Sequence, residues 1–118
     1  YTFYGMRTLE EADPEFHPYY EGAMEKRDMA YHQGTVWTFP LGAYYLAYLK
    51  VHAYSERAKQ DVKEQLEVLE CALKEGCIGQ LPEIYDGKNP VSSKGCFAQA
   101  WSVGELLRVY EQIEKKKK

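Results

Sequence analysis

Two carboxylates, Glu83 and Asp86, stand in the stretch Gly79-Gln80-Leu81-Pro82-Glu83-Ile84-Tyr85-Asp86-Gly87, between two helical patterns. A carboxylate fixed in a loop can take or give a proton. Asp86 directly before Gly87 also carries the signature of an Asp-Gly turn. From Gly76 to Gly95 neither a helical nor a strand period runs, and loops of about twenty residues in a compact domain are usually functional or disordered. Ile78, Leu81, Ile84 and Tyr85 make this one too apolar for a disordered linker. A long, ordered, acidic loop suggests a site.

The elements that must hold such a loop read as helices. Val36–Tyr54 is predicted as a helix, capped by Thr35 or Thr38, with Pro40 in its first turn, where a missing N–H is no loss. Between Phe39 and Leu49 it is apolar nearly all round, so it is expected to be covered on every face. Ser55–Glu75 carries one stripe, Ala58, Val62, Leu66, Leu69 and Leu73, with Glu70 and Lys74 in the favourable i,i+4 order. Gly76 ends this half-solvated helix. Cys96–Glu114 is the third helix, apolar and small in its first half and charged in its second. The first thirty residues hold no sustained period. Tyr1–Arg7 reads as a short strand or extended arm, and Asp13-Pro14 and His17-Pro18 are turn signals. The expected fold class is therefore all-α, with inner and outer helices alternating and a long loop at one end.

Composition narrows the function classes. At 118 residues the chain is at most one domain. A net charge of −3 argues against binding a phosphate backbone, so no nucleic-acid partner is expected. Lys115–Lys118 complement the dipole of the preceding helix and stay solvated. No apolar run reaches the ~18 residues of a membrane span, and the start of the chain shows no secretory pattern. The three cysteines, Cys71, Cys77 and Cys96, form no Cys-x-x-Cys, which argues against zinc and for reduced thiols in the cytoplasm. No cofactor is implied. Eleven tyrosines and two tryptophans are the outlier. Their apolar faces and polar tips suit sugars, although core packing also uses them.

Three motifs carry a resemblance. Tyr31-His32-Gln33-Gly34-Thr35-Val36-Trp37, Pro82-Glu83-Ile84-Tyr85-Asp86-Gly87 and Gly95-Cys96-Phe97-Ala98-Gln99-Ala100-Trp101-Ser102-Val103 resemble the closing segments of glycogen debranching enzymes, in their amylo-α-1,6-glucosidase domain. Tyr4-Gly5-Met6-Arg7-Thr8-Leu9 resembles a stretch just upstream. Phe3 and Thr38 depart from the pattern, which has proline at both places. The resemblance implies a partial (α/α)6 barrel related to glucoamylase. Residues 1–118 would be its C-terminal part, supplying about three or four of twelve helices. It also implies a glycoside hydrolase acting with inversion on α-1,6-linked glucose at the branch points of glycogen.

In that resemblance Glu83 is the general base. Inverting glycosidases hold their two carboxyls roughly 6.5–9.5 Å apart, so that water fits between base and sugar. The family's general acid, an aspartate in an earlier loop, is not among these residues, so the chain alone is expected to be inactive and to self-associate through apolar faces. The bland alternative for Glu83 is a loop carboxylate that accepts backbone N–H groups. His32, Trp37, Gln99 and Trp101 are the substrate-binding candidates. His32 and Gln99 would bond sugar hydroxyls and the two indoles would stack on sugar faces, against the alternatives of a satisfied histidine and ordinary core packing. Arg7, Arg27 and Asp28 read as ordinary salt-bridge residues. Two other functions stay open: a non-catalytic carbohydrate-binding segment, and a helical module whose apolar faces bind a partner chain.

Overall fold

A computed structural model describes residues 2–115. Tyr1, Lys116, Lys117 and Lys118 lie outside the described residues. Of the basic tail, Lys115 pairs with Glu111 at 3.1 Å, one turn back.

The fold is mixed rather than all-α. Among the described residues, a four-stranded antiparallel sheet runs in the order β1 (Met6–Arg7), β2 (Val36–Trp37), β3 (Ile84–Tyr85), β4 (Ser93–Lys94). Four helices accompany it: α1 (Met24–His32), α2 (Pro40–Val51), α3 (Glu56–Leu69) and α4 (Ala100–Glu114). The expected partial (α/α)6 barrel is thereby overturned. Each strand is only two residues long, too short to print an alternating period, and β2 and β3 are buried throughout. In sequence such apolar pairs read as the edge of a helix or as part of a loop.

The helix boundaries move for the same reason. Val36 and Trp37 are drawn into the sheet, with Trp37 opposite Met6 on one side and Ile84 on the other. Helix α2 therefore begins at Pro40. Neither threonine caps it: the Thr38 hydroxyl donates to the Tyr4 carbonyl (2.9 Å) and the Thr35 hydroxyl to the Tyr31 carbonyl (2.9 Å). Helix α2 stops at Val51, before Ala53 and Tyr54 take left-handed φ values of 51° and 52°. Helix α3 is opened by Ser55, whose side chain accepts the Ala58 N–H at 3.3 Å. It ends at Leu69 and tightens into a 3-10 turn over Glu70–Lys74. Glu70 accepts a hydrogen bond from the Tyr110 hydroxyl of α4. The segment from Gly76 to Gly95, expected to be without regular structure, holds the β3–β4 hairpin.

The core is helical. Leu41, Tyr45 and Leu49 of α2 meet Ala58, Val62, Leu66 and Leu69 of α3 and Leu106 and Val109 of α4 in one buried cluster. The α3 residues are the stripe that the spacing by threes and fours puts on one face. Helix α2 packs most extensively on α4. Their close approach needs Gly42, where a Cβ would come within 2.6 Å of the Glu105 Cβ. Helix α2 is not covered all round: Ala43, Tyr44, Ala47 and Val51 are exposed. No helix among the described residues is long and apolar enough to cross a membrane.

Truncating the core should cost far more than truncating the surface of the same bundle. Leu66→Ala, at 1% exposure, is expected to lose about 2–5 kcal/mol through lost burial and a cavity. Leu107→Ala, at 62% exposure, should stay within about 0.5 kcal/mol. Urea unfolding of the two variants checks this, and comparable losses would refute the core assignment.

Candidate active site around Glu83

Glu83 immediately precedes β3, and its place is set from the backbone outward. Upstream, the Leu81 carbonyl accepts the Gln99 N–H (2.8 Å), and the Pro82 carbonyl accepts the buried Ser102 hydroxyl (2.9 Å). Glu83 and Cys96 then bond reciprocally. The Glu83 N–H donates to the Cys96 carbonyl (2.8 Å), and the Cys96 N–H donates to Glu83 Oε2 (3.0 Å). The chain reaches Cys96 through Gly95, at φ +68°, where a Cβ would sit 2.5 Å from Oε2. Only glycine takes that φ without strain and leaves room for the carboxylate.

The other carboxylate oxygen, Oε1, accepts the Tyr31 hydroxyl. Burial first, and then the hydrogen bond and charge of Glu83, push the Tyr31 phenol well above its ordinary value of 10.0. Tyr31 thus remains a protonated donor. It went unmarked in sequence as a site residue, although it heads the motif that contains His32 and Trp37. Its one usable signal was its place beside those two residues.

Around this pair the rings gather. The Tyr31 ring meets Trp37 edge-on at 4.7 Å and His32 at 4.8 Å. Trp37 is 7% exposed, and its Nε1 donates to the Tyr31 carbonyl and the Thr35 hydroxyl, both at 3.2 Å. It lies in β2 rather than in the first turn of a helix. His32 is exposed and runs parallel to the Trp37 ring at 6.3 Å. Trp101, 46% exposed in the first turn of α4, stacks on Phe39 at 4.6 Å and meets Trp37 edge-on at 6.2 Å. Phe39 is a second member that sequence reading passed over. Gln99 is the residue before α4, where its side chain does not cap the helix. The fold therefore brings Glu83, His32, Trp37 and Trp101 to one end of the helical bundle, with Gln99 joined to the same loop through Leu81.

Asp86 has another job. It is buried, its Oδ1 accepts the Tyr20 N–H at 3.0 Å, and Lys94 lies 3.8 Å from Oδ2. Burial raises its carboxyl above the usual range. With both oxygens engaged inside the protein, Asp86 ties the Tyr20 segment to the β3–β4 hairpin. Arg7 donates to the Gly87 carbonyl (2.7 Å) and pairs with Glu11 (3.3 Å), and the Arg27 guanidinium lies 5.9 Å above the Tyr20 ring. Among the described residues no cluster of His, Cys, Asp and Glu could hold a metal ion.

Chemically, the arrangement is a half-buried carboxylate with each oxygen oriented by one donor, set beside partly exposed indole and imidazole rings. It can accept a proton from a polarised water while a sugar face lies on the rings. Tyr31→Phe removes the donor to Oε1. A hydrogen bond to a charged group contributes about 1.5–3 kcal/mol, and the half-buried setting places the expected loss near the lower figure. Because folding raises the Tyr31 pKa, its contribution is complete below pH 10.0, the ordinary tyrosine value, and is lost as pH rises through the raised value. The stability gap between wild type and Tyr31→Phe should accordingly shrink at alkaline pH. A gap that is constant across that range in denaturation experiments would contradict the coupling.

No curated protein and no solved structure matches the chain. A family model does: amylo-alpha-1,6-glucosidase matches residues 1–108, a span that includes Tyr31, Trp37, Glu83 and Trp101. The chain therefore belongs to the amylo-alpha-1,6-glucosidase family, whose enzymes are glycoside hydrolases.

Proposed function

We propose that this chain is a C-terminal segment of a debranching-type glycoside hydrolase, and that Glu83 is its general base. The observation that carries the reading is the fixing of both Glu83 oxygens, by the Cys96 N–H and by Tyr31, which itself packs against Trp37. The substrate is a branched α-glucan such as glycogen, cut at an α-1,6-linked glucose. Water activated by Glu83 attacks the anomeric carbon on the face opposite the leaving oxygen, giving inversion. Trp101, backed by the stacked Phe39 ring and met edge-on by Trp37, offers an exposed face for the sugar, and His32 and Gln99 bond its hydroxyls. The carboxylic acid that protonates the leaving oxygen is, as the family resemblance implies, an aspartate of an earlier loop; Asp86 does not serve, being buried and committed to Tyr20 and Lys94. The three cysteines are free, which suits a reducing cytoplasmic setting.

Glu83→Gln keeps the shape of the side chain and an acceptor for Tyr31, but cannot take a proton. In an enzyme that carries this segment together with its acid, the variant should release glucose from a branched dextrin about 10²–10⁴-fold more slowly. Oligosaccharide binding should change little. Near-normal turnover by a folded variant would remove Glu83 from the role of base and leave a sugar-binding surface.

A further inference from the structure

A concave surface lies away from Glu83, between α2 and α3. It encloses about 350 Å3 and is walled by Tyr44, Tyr48, Arg57, Asp61, Glu64 and Gln65. Tyr44 and Tyr48 are one turn apart on α2 and so share a face. Tyr44 is 39% exposed. The opposite wall is polar: Asp61 accepts the Tyr48 hydroxyl through Oδ2 (3.1 Å) and Arg57 Nε through Oδ1 (2.8 Å). Tyr44 begins the groove five residues past Phe39, about 7 Å along the same helix.

We propose that this groove is an accessory binding site for a neutral α-glucan chain. The ligand class follows from the walls. Two phenol rings provide flat apolar faces with polar tips. Arg57, Asp61, Glu64 and Gln65 provide both donors and acceptors, as a ligand dense in hydroxyls requires. One guanidinium set against two carboxylates leaves no excess positive charge for a phosphate, and the polar wall does not suit a hydrocarbon. The volume lies within the ~300–1,000 Å3 of small-ligand sites. The choice of glucan among polyhydroxylated ligands rests on the function proposed above. A branched substrate held here as well as at Glu83 gains a second, tethered contact that raises its effective affinity.

Residue-resolved NMR with maltoheptaose as the probe tests the proposal. The Tyr44 and Tyr48 ring resonances should shift on titration. Tyr44→Ala should weaken that binding about tenfold, as loss of one stacked ring predicts. Tyr44→Phe, which keeps the ring, should retain it. Arg57→Ala, at a side chain 86% exposed, carries the same expectation as Tyr44→Ala and guards against a folding defect at Tyr44. Glu83→Gln should leave the groove titration unchanged even if it abolishes hydrolysis, so the two proposals fail separately. Rings that do not shift, or wild-type affinity in both Tyr44→Ala and Arg57→Ala, would overturn the site. So would a groove titration that disappears in Glu83→Gln, because the signal would then belong to the Glu83 face.

Discussion

The pairing of β2 with β3 is the constraint on which the rest depends. Val36 lies opposite Tyr85 and Trp37 opposite Ile84, and every feature of the site is counted from that register. Glu83 is one residue before β3, and Tyr31 reaches it from the end of α1, six residues before Trp37. Because strand side chains alternate, a slip of one residue would send Trp37 and Ile84 to the wrong face. Two-residue strands are marginal by themselves. Here they are braced from both sides: Tyr4 stacks on Tyr85 at 4.4 Å, and the buried Ser102 hydroxyl of α4 holds the Pro82 carbonyl on the approach to β3. The helical core thus steadies a sheet too small to stand alone, and the sheet in turn fixes the carboxylate.

Around Glu83 the forces are local and of unequal kind. Of the two bonds with Cys96, the one from the Glu83 N–H to the Cys96 carbonyl is backbone geometry and survives most side-chain changes, while the one from the Cys96 N–H ends on the Glu83 carboxylate itself. The Tyr31 bond is a side-chain contribution, and it links the carboxylate to the aromatic cluster. Tyr31 packs edge-on against Trp37 and its carbonyl accepts the Trp37 indole N–H. Movement of the tryptophan would therefore be felt at the carboxylate. Asp86, three residues on, shows what a carboxylate does when it is buried, at 3% exposure, rather than half-buried like Glu83. It becomes an anchor, and its carboxyl is raised by burial. The difference between the two residues lies in their surroundings.

Membership of the amylo-alpha-1,6-glucosidase family and the architecture of this chain are separate findings. The family match covers residues 1–108 and includes every residue of the Glu83 cluster. The chain itself folds as helices packed beside a small antiparallel sheet. The expectation of a wholly helical toroid segment extrapolates from the three long helices; it allows a short strand at Met6–Arg7, within Tyr1–Arg7, but none at Val36–Trp37, Ile84–Tyr85 or Ser93–Lys94. These four dipeptides lie up to 88 positions apart, counting from Met6 to Lys94, and only pairing makes them strands.

By itself the sequence determined what depends on near neighbours. The α3 stripe and the motif around Glu83 are readable within a few residues, since helical periodicity is local. The tertiary structure alone decided which residues meet across distance. It joined Tyr31 to Glu83, 52 positions away, set Trp101 on Phe39, and turned the start of a predicted helix into β2. The physical reason is that strand pairing and side-chain clamps are stabilised by partners remote in the chain, and no local pattern records a partner that only folding supplies.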